Sequence, residues 1–204
     1  MTYSTLLSLL VFFMTFVLPL QATSLLPEKL YEKLTTLKIP LTRQLLIVNI
    51  NSQRLALYEY GQRVKEYPIS TAKKGIGNHS GSFQTPLGLH RISEKIGSNS
   101  APNAIFESRV PTGRTWQAGG SETSDFVLSR ILRLKGEESG INKGRNAQGI
   151  VVDSQERCIY IHGTNHEKSL GSPVSHGCIR MGNGDIIDLF SRVQKDALVW
   201  VTER

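Results

Sequence analysis

The amino-acid sequence predicts a mainly β domain with one or two short helices. From Gln44 onward, short apolar or alternating runs are separated by clusters of Gly, Asn and Ser, the texture of strands joined by turns. Only two segments place apolar residues at helical spacing. No repeat or low-complexity tract divides the chain, and 204 residues with 39% hydrophobic content suffice for one core and a small appendage.

Residues 1–22 contain no charged side chain, and Leu6 to Leu18 is apolar apart from Ser8 and Thr15. This reads as an export signal with cleavage near Ala22, or as an uncleaved anchor, since no Lys or Arg marks its start. Residues 23–43 form a lead-in. Leu30, Leu34 and Leu37 share one helical face, Pro27 suits a first turn and Pro40 stops the helix. Such a helix packs on the domain or lies on a membrane surface.

The main domain is expected over 44–204. Leu45 to Ile50, Leu55 to Tyr58 and Val64 to Ile69, separated by turns at Asn51-Ser52-Gln53 and Gly61, read as an antiparallel meander. Further strands are expected at Leu87 to Ile92, Ala104 to Val110, Phe126 to Leu134, Gly149 to Asp153, Cys158 to Ile161 and Leu198 to Val201. Lys73 to Ser82 and Gly136 to Gly149 read as loops. Asn183-Gly184-Asp185 opens a capped helix of about ten residues, with Ile186, Leu189, Phe190 and Val193 on one face.

Lys and Arg number 24 against 17 Asp and Glu, a net charge of +7. In an exported protein this favours anionic polymers or lipid. The basic residues are scattered, which argues against a nucleic-acid stripe.

The segment from Ile159 to Met181, IYIHGTNHEKSLGSPVSHGCIRM, holds three of the five histidines and one of the two cysteines. A metal site is one reading, because His162 and His166 are four apart, with His176 and Cys178 to complete a set. Gly163-Thr164-Asn165 is a poor helix, however, and no Glu stands where a metal-dependent hydrolase would need it. Nucleophilic catalysis is the other reading: a cysteine attacks as thiolate and needs a base to take its proton. His162 ends a β run, and Ser175-His176-Gly177 makes a small-residue turn that presents Cys178. Consecutive main-chain N–H groups of that turn would then make an oxyanion hole. A strand-end histidine and a buried cysteine without chemistry is the third reading of the pair alone.

The string HGT followed by SHGCIRM resembles the signature of the YkuD-like L,D-transpeptidases, bacterial enzymes that cross-link peptidoglycan. Thr85-Pro86-Leu87-Gly88 matches a further segment of that family, and the resemblance covers roughly 44–204. It implies a YkuD-like β-sandwich or barrel-like fold. It also implies a Cys178 nucleophile, a His162 base oriented by the Gly163 carbonyl, a turn of Ser175, His176 and Gly177 with the main-chain N–H groups of Gly177 and Cys178 as oxyanion donors, and substrate contacts from Arg180, Gly163, Thr164 and Asn165. Arg180 would meet a substrate carboxylate or a structural ion-pair partner. No metal or organic cofactor is implied, and carbapenems would acylate the cysteine.

The implied reaction releases D-Ala from a tetrapeptide stem and joins the acyl group to a neighbouring stem as a 3–3 cross-link, in the periplasm or cell wall. With water as acceptor the same residues give an L,D-carboxypeptidase; with a lipoprotein lysine they anchor a lipoprotein. A sortase fits less well because its His-to-Cys interval is longer, and a noncatalytic wall-binding module is the reading from another class. The implied partners are stem peptides, anionic wall polymers or a lipoprotein acceptor, with membrane contact only through an uncleaved signal. Cys158 is expected in an alternating strand as a small buried residue. A Cys158–Cys178 disulfide would consume the nucleophile.

Overall fold

A computed structural model describes residues 26–117, 119–120 and 124–203. The expected export signal lies outside the described residues. The elements in chain order are α1 (Glu28–Leu37), β1 (Gln44–Asn49), β2 (Arg54–Glu59), β3 (Gln62–Ser70), β4 (Gly88–Ile96), β5 (Ala104–Glu107), β6 (Val110–Thr115), β7 (Val127–Gly136), β8 (Tyr160–Gly163), β9 (Ile179–Met181), α2 (Asn183–Arg192) and β10 (Leu198–Thr202). A single 3-10 turn, Glu167–Ser169, lies between β8 and β9.

The strands run in the order β4-β10-β1-β2-β3-β9-β8-β7-β5-β6, and β4 also pairs with β7. That extra pairing closes eight of the strands into a ring and leaves β5–β6 as an appended hairpin. The fold is thus mostly β, a closed barrel or sandwich with two helices. Eight strands enclose a space that side chains can fill. Leu46, Val48, Leu55, Leu57, Ile161, Ile179 and Met181 fill it, together with Ile186, Leu189 and Phe190 of α2.

Strand β1 is buried on both faces, which explains its unbroken apolar run. Leu46 and Val48 point into the ring, while Leu45 and Ile47 meet Leu26, Leu30 and Leu34 beneath α1. Of the two destinations open to the lead-in helix, the domain surface is therefore the one it takes. Lys33 reinforces the contact through an ion pair with the buried Glu138 at 2.5 Å.

The expected meander holds: β1 pairs antiparallel with β2, and β2 with β3. Other strands differ from expectation. Ala104 to Val110 is a hairpin rather than one strand, because Ser108 and Arg109 turn through positive φ. Gly149 to Asp153 makes one isolated bridge, Arg145 to Val151, rather than a strand. Strand β9 has no counterpart in the sequence reading, since three residues, Ile179 and Met181 with Arg180 between them, are too short a run to register.

Helix α2 matches the expected length, but Asn183 is its first residue and not its cap. The Asn183 side chain points inward, where Nδ2 donates to the Thr164 carbonyl and Oδ1 accepts from the Ser129 hydroxyl. Glu167 takes over at the helix start, accepting from the Asn183 N–H at 2.6 Å.

His90 shows how the interior treats a titratable group. It is fully buried, with Nδ1 donating to the Gly88 carbonyl and Nε2 accepting from the Ser154 hydroxyl. Burial pulls its pKa down to about 4. Between about 6.5, where the unfolded imidazole titrates, and 4, the unfolded chain binds the extra proton. Stability is therefore complete above about 6.5 and falls with pH, by at most about 3 kcal/mol from this group. The thermal midpoint should drop between pH 7 and 4.5, and less in His90→Gln. Parallel curves for the two proteins would remove His90 as a cause.

Candidate active site

Strands β8 and β9 are parallel neighbours, with Ile161 opposite Ile179, His162 opposite Arg180 and Gly163 opposite Met181. Parallel strands need a crossover of a dozen or more residues. That requirement accounts for the sixteen positions separating His162 from Cys178 in the sequence although their strands are adjacent. Alternation then sorts the side chains. Ile161, Ile179 and Met181 enter the central core, while Tyr160, His162, Cys178 and Arg180 share the opposite face. The β5–β6 hairpin flanks that face, where Ala104, Phe106, Ile131 and Tyr160 cluster with Cys178 packed against them.

His162 is 3% exposed, and its Nδ1 lies 2.7 Å from the Gly163 carbonyl oxygen. A carbonyl only accepts, so Nδ1 carries the proton and Nε2 keeps its lone pair. Burial pulls the imidazole down to about 4, against the opposing pull of the Gly163 hydrogen bond and of Asp125. The orienting carbonyl is the one that the family resemblance implied. Gly163 itself is required for space rather than for a turn. A Cβ there would lie 2.8 Å from the Leu128 carbonyl and closer still to Asn183 Oδ1.

The Cys178 sulfur is half-buried. It accepts from the Tyr160 N–H at 3.4 Å and donates to the Cys158 carbonyl at 3.4 Å. Burial pushes the thiol up to about 11, with the Tyr160 N–H pulling the other way. At neutral pH the resting pair is therefore a neutral thiol and a neutral imidazole. A neutral thiol attacks a carbonyl only with a base to take its proton.

The turn before Cys178 is built from its own side chains and from a distant segment. The Ser175 hydroxyl donates to the Cys178 carbonyl at 2.6 Å and accepts from the Gly177 N–H at 3.2 Å. Thr85, from the Thr-Pro-Leu-Gly segment, donates to the Gly177 carbonyl and accepts from the Ala72 N–H, both at 3.0 Å. Gly177 has φ of 132°, a conformation that only glycine adopts readily. Gly88, at the end of the same segment, has φ of 104°, and a Cβ there would come within 2.8 Å of Asn142 Nδ2. Of the two N–H groups expected to form an oxyanion hole, that of Gly177 is already bonded. Only the Cys178 N–H has no partner among the described residues.

Three residues expected to contact substrate have polar partners within the protein. Arg180 is 4% exposed and ion-paired with Asp125, so its guanidinium is spent within the protein. Thr164 and Asn165 are buried rather than lining a cleft. The Thr164 hydroxyl accepts from the His166 N–H, and Asn165 holds the Ser124–Phe126 segment by accepting from the Phe126 N–H and donating to the Ser124 carbonyl. Through these bonds the three residues shape the site. His176 is mostly exposed, with Nδ1 3.2 Å from Asp125 Oδ2. His166 sits at the rim, against the Ser124 carbonyl. Cys158 is exposed in a turn with φ of 56°, not buried in a strand, and both cysteines are free.

Asp125 has no signature in the sequence, yet it joins Arg180 to His176 and acts on His162. A cleft of about 160 Å³ beside His176 is lined by Phe83, Arg157 and Ile159. A larger cavity, about 620 Å³, lies under α1 against Trp200 and Glu138 and is lined by none of these groups.

A family model for the L,D-transpeptidase catalytic domain, YkuD, matches residues 43–201. The chain belongs to the YkuD L,D-transpeptidase family. It is 30% identical over 162 residues to the probable L,D-transpeptidase YcfS of Escherichia coli, covering 78% of this chain and 44% of that protein. It is also 30% identical over 155 residues to the putative L,D-transpeptidase YkuD of Bacillus licheniformis, covering 76% of this chain and 63% of that one. The chain thus spans less than two thirds of either relative. An L,D-transpeptidase structure from Mycobacterium smegmatis is similar at a TM-score of 0.48 and 18% identity, covering 78% of this chain and 58% of that chain. The site described above lies within the matched L,D-transpeptidase domain, whose chemistry is of the acyltransferase type.

Proposed function

We propose that this protein forms 3–3 cross-links in peptidoglycan, with Cys178 as acyl carrier and His162 as its base. The observation that carries this reading is the Nδ1–H bond of His162 to the Gly163 carbonyl, which leaves a basic Nε2 on the face that bears the Cys178 sulfur. As sulfur attacks the carbonyl of the third stem residue, His162 takes the thiol proton. The developing oxyanion is met by the Cys178 N–H. His162 then protonates the departing amine of D-Ala, and a thioester remains. An amine from a second stem loses its proton to His162 as it displaces sulfur, which restores the thiol. No cofactor takes part.

The charge-free residues 1–22 would deliver the domain to the periplasm or cell wall, and the net charge of +7 would hold it near anionic wall polymers. Incubation with a tetrapeptide donor should release D-Ala and yield a dimer by mass spectrometry. D-Ala release without dimer would assign an L,D-carboxypeptidase, and dimers only with a lipoprotein lysine would assign anchoring. Wall pelleting that survives Cys178→Ala, with no D-Ala release from wild type, would assign a binding module.

A further inference from the structure

The β5–β6 hairpin turns through Ser108 and Arg109, whose φ angles are 49° and 70°. Two successive positive φ values in a two-residue connection are the I′ pattern, in which glycine or asparagine is the usual occupant. An arginine is held there against its backbone preference, and nothing in the hairpin pairing calls for its side chain. That side chain reaches two residues that adjoin the candidate active site. Nη1 donates to the Tyr160 hydroxyl at 3.0 Å and approaches Cys158 Sγ at 3.7 Å. The Tyr160 N–H and the Cys158 carbonyl both contact the Cys178 sulfur. The guanidinium therefore touches the side chains of two residues whose backbones touch that sulfur.

Its charge is also uncommitted. Among the described residues Arg109 has no carboxylate partner, and Glu94, which it feels at longer range, is ion-paired with Arg133. The neighbouring arginines are spent. Arg180 is buried against Asp125, and Arg157 donates to the Gly77 and Gln84 carbonyls and to the Ser82 hydroxyl.

We propose that Arg109 binds a carboxylate of the donor stem peptide, in place of the Arg180 that the sequence pointed to. This rests on the reading that Cys178 is acylated by such a peptide. A donor ending in D-Ala carries its terminal carboxylate a few bonds beyond the scissile carbonyl, and a diaminopimelate side chain carries a second one nearby. A planar guanidinium with one N–H on Tyr160 keeps further N–H groups for a carboxylate.

The test is calorimetric binding of tetrapeptide donors to Cys178→Ala protein, alone and combined with Arg109→Gly or Arg109→Lys. Three donors are compared: unmodified, C-terminally amidated, and amidated on the diaminopimelate side chain. Arg109→Gly should weaken the unmodified donor about ten- to a hundredfold, and Arg109→Lys less. The thermal midpoint of Arg109→Gly should stay level or rise, since glycine suits the turn. One amidated donor should bind weakly whatever stands at 109, and that donor names the carboxylate.

Equal loss for all three donors, no loss for any, a midpoint that falls with affinity, or no binding at all would overturn the assignment. D-Ala release is measured separately on protein with Cys178 intact. Binding that depends on residue 109 without release would sink the transpeptidase reading and leave the carboxylate site standing; release indifferent to residue 109 would do the reverse.

Discussion

Wild-type protein incubated with a carbapenem should gain the mass of one drug molecule, Cys178→Ala should gain none, and His162→Ala should acylate about 10²- to 10⁴-fold more slowly. The pH dependence follows from the resting protonation states. His162 titrates near 4 and Cys178 near 11, both moved mainly by burial, so each is neutral between those limits. Acylation assisted by His162 needs only neutral imidazole. It should be flat through neutral pH and fall on the acid side near 4, not near 6.5. Alkylation by iodoacetamide needs preformed thiolate, so its rate should climb about tenfold per pH unit through the neutral range. An alkylation rate already at its plateau at pH 7 would mean a resting thiolate–imidazolium pair and would refute the neutral assignment. An adduct on Cys178→Ala would refute the nucleophile.

Gly163→Ala should produce the second large effect, on stability and reactivity together. The added methyl would come within 2.8 Å of the Leu128 carbonyl and closer still to Asn183 Oδ1, so β7 and β8 must separate. Overpacking of this kind costs about 1–3 kcal/mol, read as a lower urea midpoint. Because the Gly163 carbonyl holds His162 Nδ1, the shift should also slow carbapenem acylation at a temperature where the variant is folded. Gly184→Ala is the matched control. It adds the same methyl within α2 where nothing lies within 4 Å, and alanine is the better helix former there. Equal destabilisation by the two changes would show that crowding at Gly163 is not the cause.

How far the fold can be read from the chain varies with the kind of information involved. The β1–β3 meander is legible because alternation and turn residues are local signals. The amphipathic α1 is legible for the same reason, although its docking on Leu45, Ile47 and Trp200 is not. Strand β9 escapes notice because three residues carry too little pattern, and its partner lies across a long crossover. The turn at Cys158 is not legible, because an apolar run continues from it into β8 while its positive φ leaves no local trace.

The candidate site divides along the same line. His162, Cys178, the Ser175–Gly177 turn and the Thr-Pro-Leu-Gly segment are visible in the chain because each is a short string whose spacing carries a chemical requirement. What they face is not. Arg180 meets Asp125, 55 positions earlier, Thr85 reaches the Gly177 carbonyl, and Arg109 folds over Tyr160. The sequence by itself determined the class of fold and the family, and it singled out the pair of groups proposed for acyl transfer. Tertiary structure alone decided which polar residues find partners inside the protein, as Thr164, Asn165 and Arg180 do, and that Arg109, beside Tyr160, has no carboxylate partner among the described residues. The reason is physical: local conformation and facing are set by neighbours in the chain, whereas the partner of a buried charge is set by closure of the ring, to which no single stretch of sequence holds the register.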